Sequence, residues 1–145
     1  MGNKAISTMG LKIQLVSGNK VIYQLPLSIE DWERETLEEA LDELETDLSE
    51  ILEVNDILSN RTRLRLLCKG IRDVDSRFTE FMEDLDSNQK IISENLHRMM
   101  EMELFERTEK KSREIYYNPS ELGFASILTC LTMRKVLGEV KRNRR

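Results

Sequence analysis

Scarcity limits what this sequence can do. It contains a single histidine, His97, and two cysteines, Cys68 and Cys130. One imidazole offers a metal ion no companion ligands at a useful spacing, so no metal site is expected. The two thiols stand far apart without a CxxC or Cys/His pattern, which fits a reducing, cytoplasmic setting and reads as two small buried hydrophobes. There is no glycine-rich phosphate loop, no Ser-His-Asp set and no Cys-His set, so neither an enzyme nor a cofactor is expected. No run approaches the roughly 18 to 20 apolar residues of a membrane span, and no apolar N-terminal stretch ends in a small-residue cleavage site. Met1-Gly2-Asn3-Lys4-Ala5-Ile6-Ser7 comes near a myristoylation signal, but Ile6 stands where Ser or Thr is required.

What remains is a chain that folds. At 145 residues it is the size of one domain with an appendage. Its charged fraction of 34% is high beside 39% hydrophobic residues, yet the leucines and isoleucines recur at regular intervals, which disordered chains lack. The net charge of -5 is unevenly spread. Ser28 to Asp56 holds thirteen acidic residues and one base, Arg34, a net -12, whereas residues 1–27 carry +3 and the remainder +4. An acidic segment is joined to a mildly basic module.

Two β-rich runs flank Ser17-Gly18-Asn19 between residues 11 and 25, a hairpin signal. A three-residue loop would pair Leu15 with Val21, Ile13 with Tyr23 and Leu11 with Leu25, collecting the apolar side chains on one face. Ser28 followed by Asp31 predicts the start of a long helix, in which Leu37, Leu41, Leu44, Leu48 and Ile51 step by 4, 3, 4 and 3. That seam fits either packing on the body of the protein or pairing with the same helix of a second subunit. The acidic segment, residues 28–56, is also a surface that a protein partner could use.

From Asp56 the texture changes. Asn60 caps a helix whose inner face is predicted as Leu64, Leu67 and Cys68, with Gly70 as its stop. A second helix is predicted from about Arg77 to Leu85, with Phe78, Phe81, Met82 and Leu85 inward. Asp86-Ser87-Asn88 forms the turn, and a third helix follows over about 89–101. Two short helices across a three-residue turn make a helix-turn-helix. On the third helix Ile92, Leu96 and Met99 form the inward stripe, while Gln89, Lys90, Ser93, Glu94, His97 and Arg98 face away. Short polar and basic groups so placed can reach base edges and phosphates in a major groove. Residues 104–117 then give two alternating strands around a tip with Lys110, Lys111 and Arg113, a basic wing suited to the phosphate backbone or the minor groove.

Leu58-Ser59-Asn60-Arg61-Thr62-Arg63-Leu64-Arg65-Leu66-Leu67 resembles the first-helix signature of ArsR-type winged-helix regulators, in which Asn or Asp, a short gap and Arg precede an Ile/Leu-Leu pair. Lys90 to Leu96, then Met99 through Leu104-Phe105, is similar to that family's recognition helix running into the wing. Tyr116-Tyr117-Asn118-Pro119 resembles the end of its second wing strand. The resemblance covers residues 56–140 or so. It implies a winged helix-turn-helix that binds double-stranded DNA as a homodimer and regulates transcription. Glu103 departs from the family, which usually has Gly before the wing. The thiolates of metal-sensing members are missing too, since residues 73–79 read Asp-Val-Asp-Ser-Arg-Phe-Thr. Metal-regulated repression is therefore not implied.

Asn118-Pro119-Ser120-Glu121 predicts a helix start with Asn118 as cap. The helix to about Val140 is apolar nearly all round, and Leu122, Phe124, Ile127, Leu128, Leu131 and Leu137 are its candidate dimer contacts, with burial beneath the N-terminal hairpin as the alternative. The basic tail, residues 141–145, is expected to be disordered. The expected fold class is mainly α with small β-hairpins. The expected organisation is a hairpin and acidic helix over 1–55, a DNA-binding winged helix-turn-helix over 56–118, and a dimerisation helix with tail over 119–145. The competing function is a winged helix used as a protein-interaction module with no specific DNA site.

Overall fold

The computed structural model describes residues 10–143; the myristoylation-like start and Arg144 and Arg145 of the tail lie outside the described residues. These residues form two compact units, one of residues 10–48 and 133–143 and the other of residues 49–132.

In the first unit, strands β1 (Lys12–Ser17) and β2 (Lys20–Pro26) pair antiparallel. The register is not the predicted one. Ser17 faces Lys20 across a two-residue turn with Gly18 at φ 59°, and a bulge between Leu15 and Val16 makes Ile13 face Leu25 and Leu15 face Tyr23. The left-handed glycine permits the tighter turn, and the bulge absorbs the residue that the three-residue loop would have taken. Because the pairings of Ile13 and Leu15 each move by two, Ile13, Leu15, Tyr23 and Leu25 keep a common face, while beyond the bulge Val21 faces Val16 instead of Leu15. Ser28 does not cap a long helix, as its side chain accepts no cap hydrogen bond and only a 3-10 turn, Ile29–Asp31, follows. Trp32 ties that turn back to the strand through Nε1 donating to the Pro26 carbonyl at 2.8 Å. The acidic helix proper, α1 (Arg34–Thr46), starts after Glu33 and stops at Asp47, so the leucine seam is cut in two and Leu48 and Ile51 fall on α2 (Leu48–Leu58).

The second unit is built from most of α2, then α3 (Arg61–Arg72), α4 (Phe78–Leu85), α5 (Gln89–Glu101), strands β3 (Phe105–Glu109) and β4 (Ile115–Pro119), and the first half of α6 (Glu121–Asn143). Its core is Ile57, Leu66, Leu67, Phe81, Leu85, Ile92, Leu96, Met99, Leu104 and Phe105. Phe81 meets Phe105 and Tyr117 edge-on, with ring centroids 6.0 and 6.5 Å away, locking α4 to both wing strands. α3 turns Leu66 and Leu67 inward, whereas Leu64 and Cys68 are only half-buried. The helix also runs past Gly70. That glycine is no stop: a Cβ there would lie 2.8 Å from Pro119 Cδ, so its missing side chain lets β4 close on α3.

The C-terminal helix also begins later than expected. β4 runs through Pro119, and the cap is Ser120, whose Oγ accepts from the Gly123 N–H at 3.0 Å. Asn118 is used elsewhere, as described below. Gly123 is packed so closely that a Cβ would sit 2.2 Å from the Leu104 carbonyl oxygen. α6 continues to Asn143, so the predicted disordered tail is helical through its described residues. Cys68 and Cys130 are free and half-buried rather than fully buried, and burial pushes the Cys130 thiol upward.

Candidate nucleic-acid interface

The helix-turn-helix turn is set by Asp86, in the left-handed region at φ 45°, and by Asn88, whose Oδ1 accepts from the Ile91 N–H at 2.9 Å and starts α5. Ile92, Leu96 and Met99 are buried against α3 and α4 as the spacing predicts. This fixes the rotation of α5, so Gln89, Lys90, Ser93, Glu94, His97 and Arg98 are all exposed. Two of them have acidic neighbours: His97 Nε2 lies 2.8 Å from Glu101 and Arg98 Nη2 lies 3.4 Å from Asp56. Asn95 anchors the helix flank by accepting from Arg63 Nε at 2.9 Å while its Nδ2 donates to the Ile91 carbonyl at 2.9 Å.

α5 ends in a tight C-terminal motif. The Leu104 N–H reaches the Met99 carbonyl at 2.8 Å and the Glu103 N–H reaches Met100 at 3.0 Å, with Glu103 at φ 61°. Glu103 therefore occupies the left-handed position that glycine fills most easily, and the chain makes the same turn without it.

β3 and β4 form the wing, with Phe105 facing Pro119 and Glu109 facing Ile115. Ser76, between α3 and α4, bridges to Tyr117 and adds a third short edge. At the tip the Arg113 N–H donates to the Lys110 carbonyl at 2.8 Å and Arg113 is left-handed at φ 64°. Lys110 is not a free tip residue. Its Nζ lies 2.8 Å from Asp75 Oδ2 and 4.6 Å from the Tyr116 ring centroid. Asp75 in turn receives Nδ2 of Asn118 at 2.8 Å and donates its own N–H to Asn118 Oδ1 at 2.8 Å. The hydrogen bond from Lys110, then that from Asn118, holds the Asp75 carboxyl below the ordinary carboxylate value, and Asp75 raises Lys110. Lys111 and Arg113 are exposed with no acidic partner at ion-pair distance among the described residues. Sequence reasoning missed the Asp75–Asn118–Lys110 clasp, because it joins a loop to a strand 43 residues later.

Behind the helix pair, Lys69 on α3 bonds Asp73 at 2.5 Å and also Asp84 on α4, and both carboxylates raise its pKa. On α6, Leu122, Phe124, Leu128, Leu131 and Leu137 are between 44% and 50% exposed. Ile127 differs from the other candidate dimer contacts, since it packs on the core of the second unit.

No protein-family model matches the chain, and no curated protein does. Solved structures do. The transcriptional repressor BigR from Xylella fastidiosa superposes with a TM-score of 0.55 at 20% identity, over 68% of this chain and 95% of that one. The homodimeric winged helix-turn-helix DNA-binding domain of Mb0332 from Mycobacterium bovis, a possible ArsR-family transcriptional regulator, gives 0.51 at 18%, over 65% and 85%. The YusO protein from Bacillus subtilis gives 0.52 at 16%, over 73% and 81%. The fold is a winged helix-turn-helix, mainly helical with two small antiparallel hairpins among the described residues.

Proposed function

We propose that the protein is a cytoplasmic, sequence-specific DNA-binding regulator of transcription that acts as a homodimer, has no catalytic activity and uses no cofactor. One observation carries the reading: α5 is rotated by its buried stripe so that Gln89, Lys90, Ser93, Glu94, His97 and Arg98 are all exposed, directly ahead of a wing whose Lys111 and Arg113 are exposed too. In this reading α5 enters the major groove and the wing lies along the phosphates or in the minor groove. Lys110 adds charge there while holding the wing to Asp75. BigR, described as a repressor, and Mb0332, described as a homodimeric DNA-binding domain, support the class. Homodimerisation is supported by α6, where Phe124, Leu128 and Leu131 follow one another at intervals of four and three on an exposed stripe beside Leu122, with Leu137 further along.

A gel-shift titration of the full chain on random duplex at low salt tests the proposal, because even non-specific winged-helix binding is visible there. A retarded complex is expected. A second reading, a protein-interaction module, is favoured by the hairpin, whose Leu15, Val16, Val21, Ile22, Tyr23 and Leu25 are 36% to 55% exposed, and by the acidic helix that follows it in the chain. Absence of any shift would favour that reading.

A further inference from the structure

Among the described residues of α5, Ile91 is the one large hydrophobic side chain left exposed, at 41%. The core does not need it, since Ile92, the next residue, is fully buried and supplies the first inward contact of the helix. Its backbone is pinned on both sides, the N–H by Asn88 and the carbonyl by Asn95, which is itself held by Arg63. The side chain therefore projects from a rigid first turn, third residue of the helix, on the exposed flank between Glu94 and Asn95. A single exposed isoleucine is ordinary on a protein surface, and this one matters because it stands in the first turn of the helix read as entering the groove.

On the floor of a major groove the base edges present hydrogen-bonding groups, and the one apolar group among them is the thymine C5 methyl. Helix-turn-helix proteins bring the N-terminal residues of the recognition helix to those edges. We infer that Ile91 is a specificity-determining residue that packs on the C5 methyl of a thymine, while its polar neighbours Lys90 and Glu94 meet hydrogen-bonding groups on adjacent pairs. This rests on the DNA-binding reading above and names the base feature read at that site.

The test starts with duplexes enriched from a random pool by the full wild-type chain. In the best-bound duplex each thymine is replaced singly by uracil, which removes the methyl group and little else. Loss of one buried methyl corresponds to about a fourfold loss of affinity. At least one replacement is expected to weaken wild-type binding about fourfold, and the same replacement should leave Ile91→Ala unaffected. Ile91→Val, which keeps a branched apolar tip, should stay sensitive. Because Ile91 is exposed and lies outside the core cluster, the melting temperature of each variant should stay close to that of the wild type, which shows that the variants fold. The inference is overturned if no uracil position matters, if Ile91→Ala remains equally sensitive, or if duplex is bound but no sequence is enriched; in each case DNA binding itself still stands. If no duplex is bound at all, the DNA-binding reading falls and the inference with it. A protein partner that Ile91→Ala then releases would reassign the side chain to that partner.

Discussion

Glu103, Gly123 and Asp75 each carry a requirement that packing imposes on a single residue. Glu103 holds a left-handed backbone at the end of α5, where its Cβ is strained and its charge faces the negative end of the helix dipole. Glu103→Gly should therefore stabilise the fold by about 1 kcal/mol in urea denaturation, even after the extra chain entropy of glycine in the unfolded state. Gly123→Ala should do the reverse and cost about 3 kcal/mol, because a Cβ 2.2 Å from the Leu104 carbonyl forces α6 away from the wing. Asp75 makes stability depend on pH. Its folded-state pKa is depressed below 3.8, so its contribution is complete above that value and is lost as pH falls through the depressed value. Asp75→Asn should flatten the acid limb of the stability curve and raise amide exchange in β3 and β4 at neutral pH. Unchanged exchange would show that the clasp does not hold the wing.

At the level of elements, much was legible because short-range signals decided it. The Asn60 cap, the Asp86-Ser87-Asn88 turn and the Ile92, Leu96, Met99 stripe lie where their spacing put them. The misses have a common physical cause. The hairpin register turned on a bulge, the role of Gly70 on Pro119 approaching from 49 residues away, and the late start of α6 on the recruitment of Asn118 by Asp75, none of which local pattern contains. The acidic helix broke at Asp47 although its leucines keep step across the break. Wing and recognition helix should divide their work. Lys111→Ala and Arg113→Ala should weaken binding to selected and random duplex alike and reduce the salt slope by about one unit each. Lys90→Ala and Gln89→Ala should cost about 1–3 kcal/mol on a selected duplex and far less on random sequence. Glu94→Ala should tighten random binding while relaxing preference at one position. Fluorescence anisotropy on both duplexes measures all of these.

At the scale of the whole molecule the net charge of -5 opposes nucleic acid, so binding depends on where charge sits. The acidic surplus is concentrated in residues 28–56, whereas α5 and the wing tip bring Lys90, Arg98, Lys111 and Arg113 to exposed positions. Assembly enters at the same scale. Leu128→Glu and Leu131→Glu place a charge on the exposed stripe of α6 without touching the core, and sedimentation at tens of micromolar should show a dimer for the wild type and a monomer for each variant. A wild-type monomer would remove the homodimer from the account. The central claim, duplex recognition through α5 and the wing, is tested most directly by the salt dependence of binding to a random duplex for the wild type and for Lys111→Ala/Arg113→Ala together. The account predicts measurable affinity at low salt, a steep linear fall of log affinity with log salt, and a slope about two units shallower in the double variant. No binding by the wild type, or an equal slope in both proteins, would contradict it.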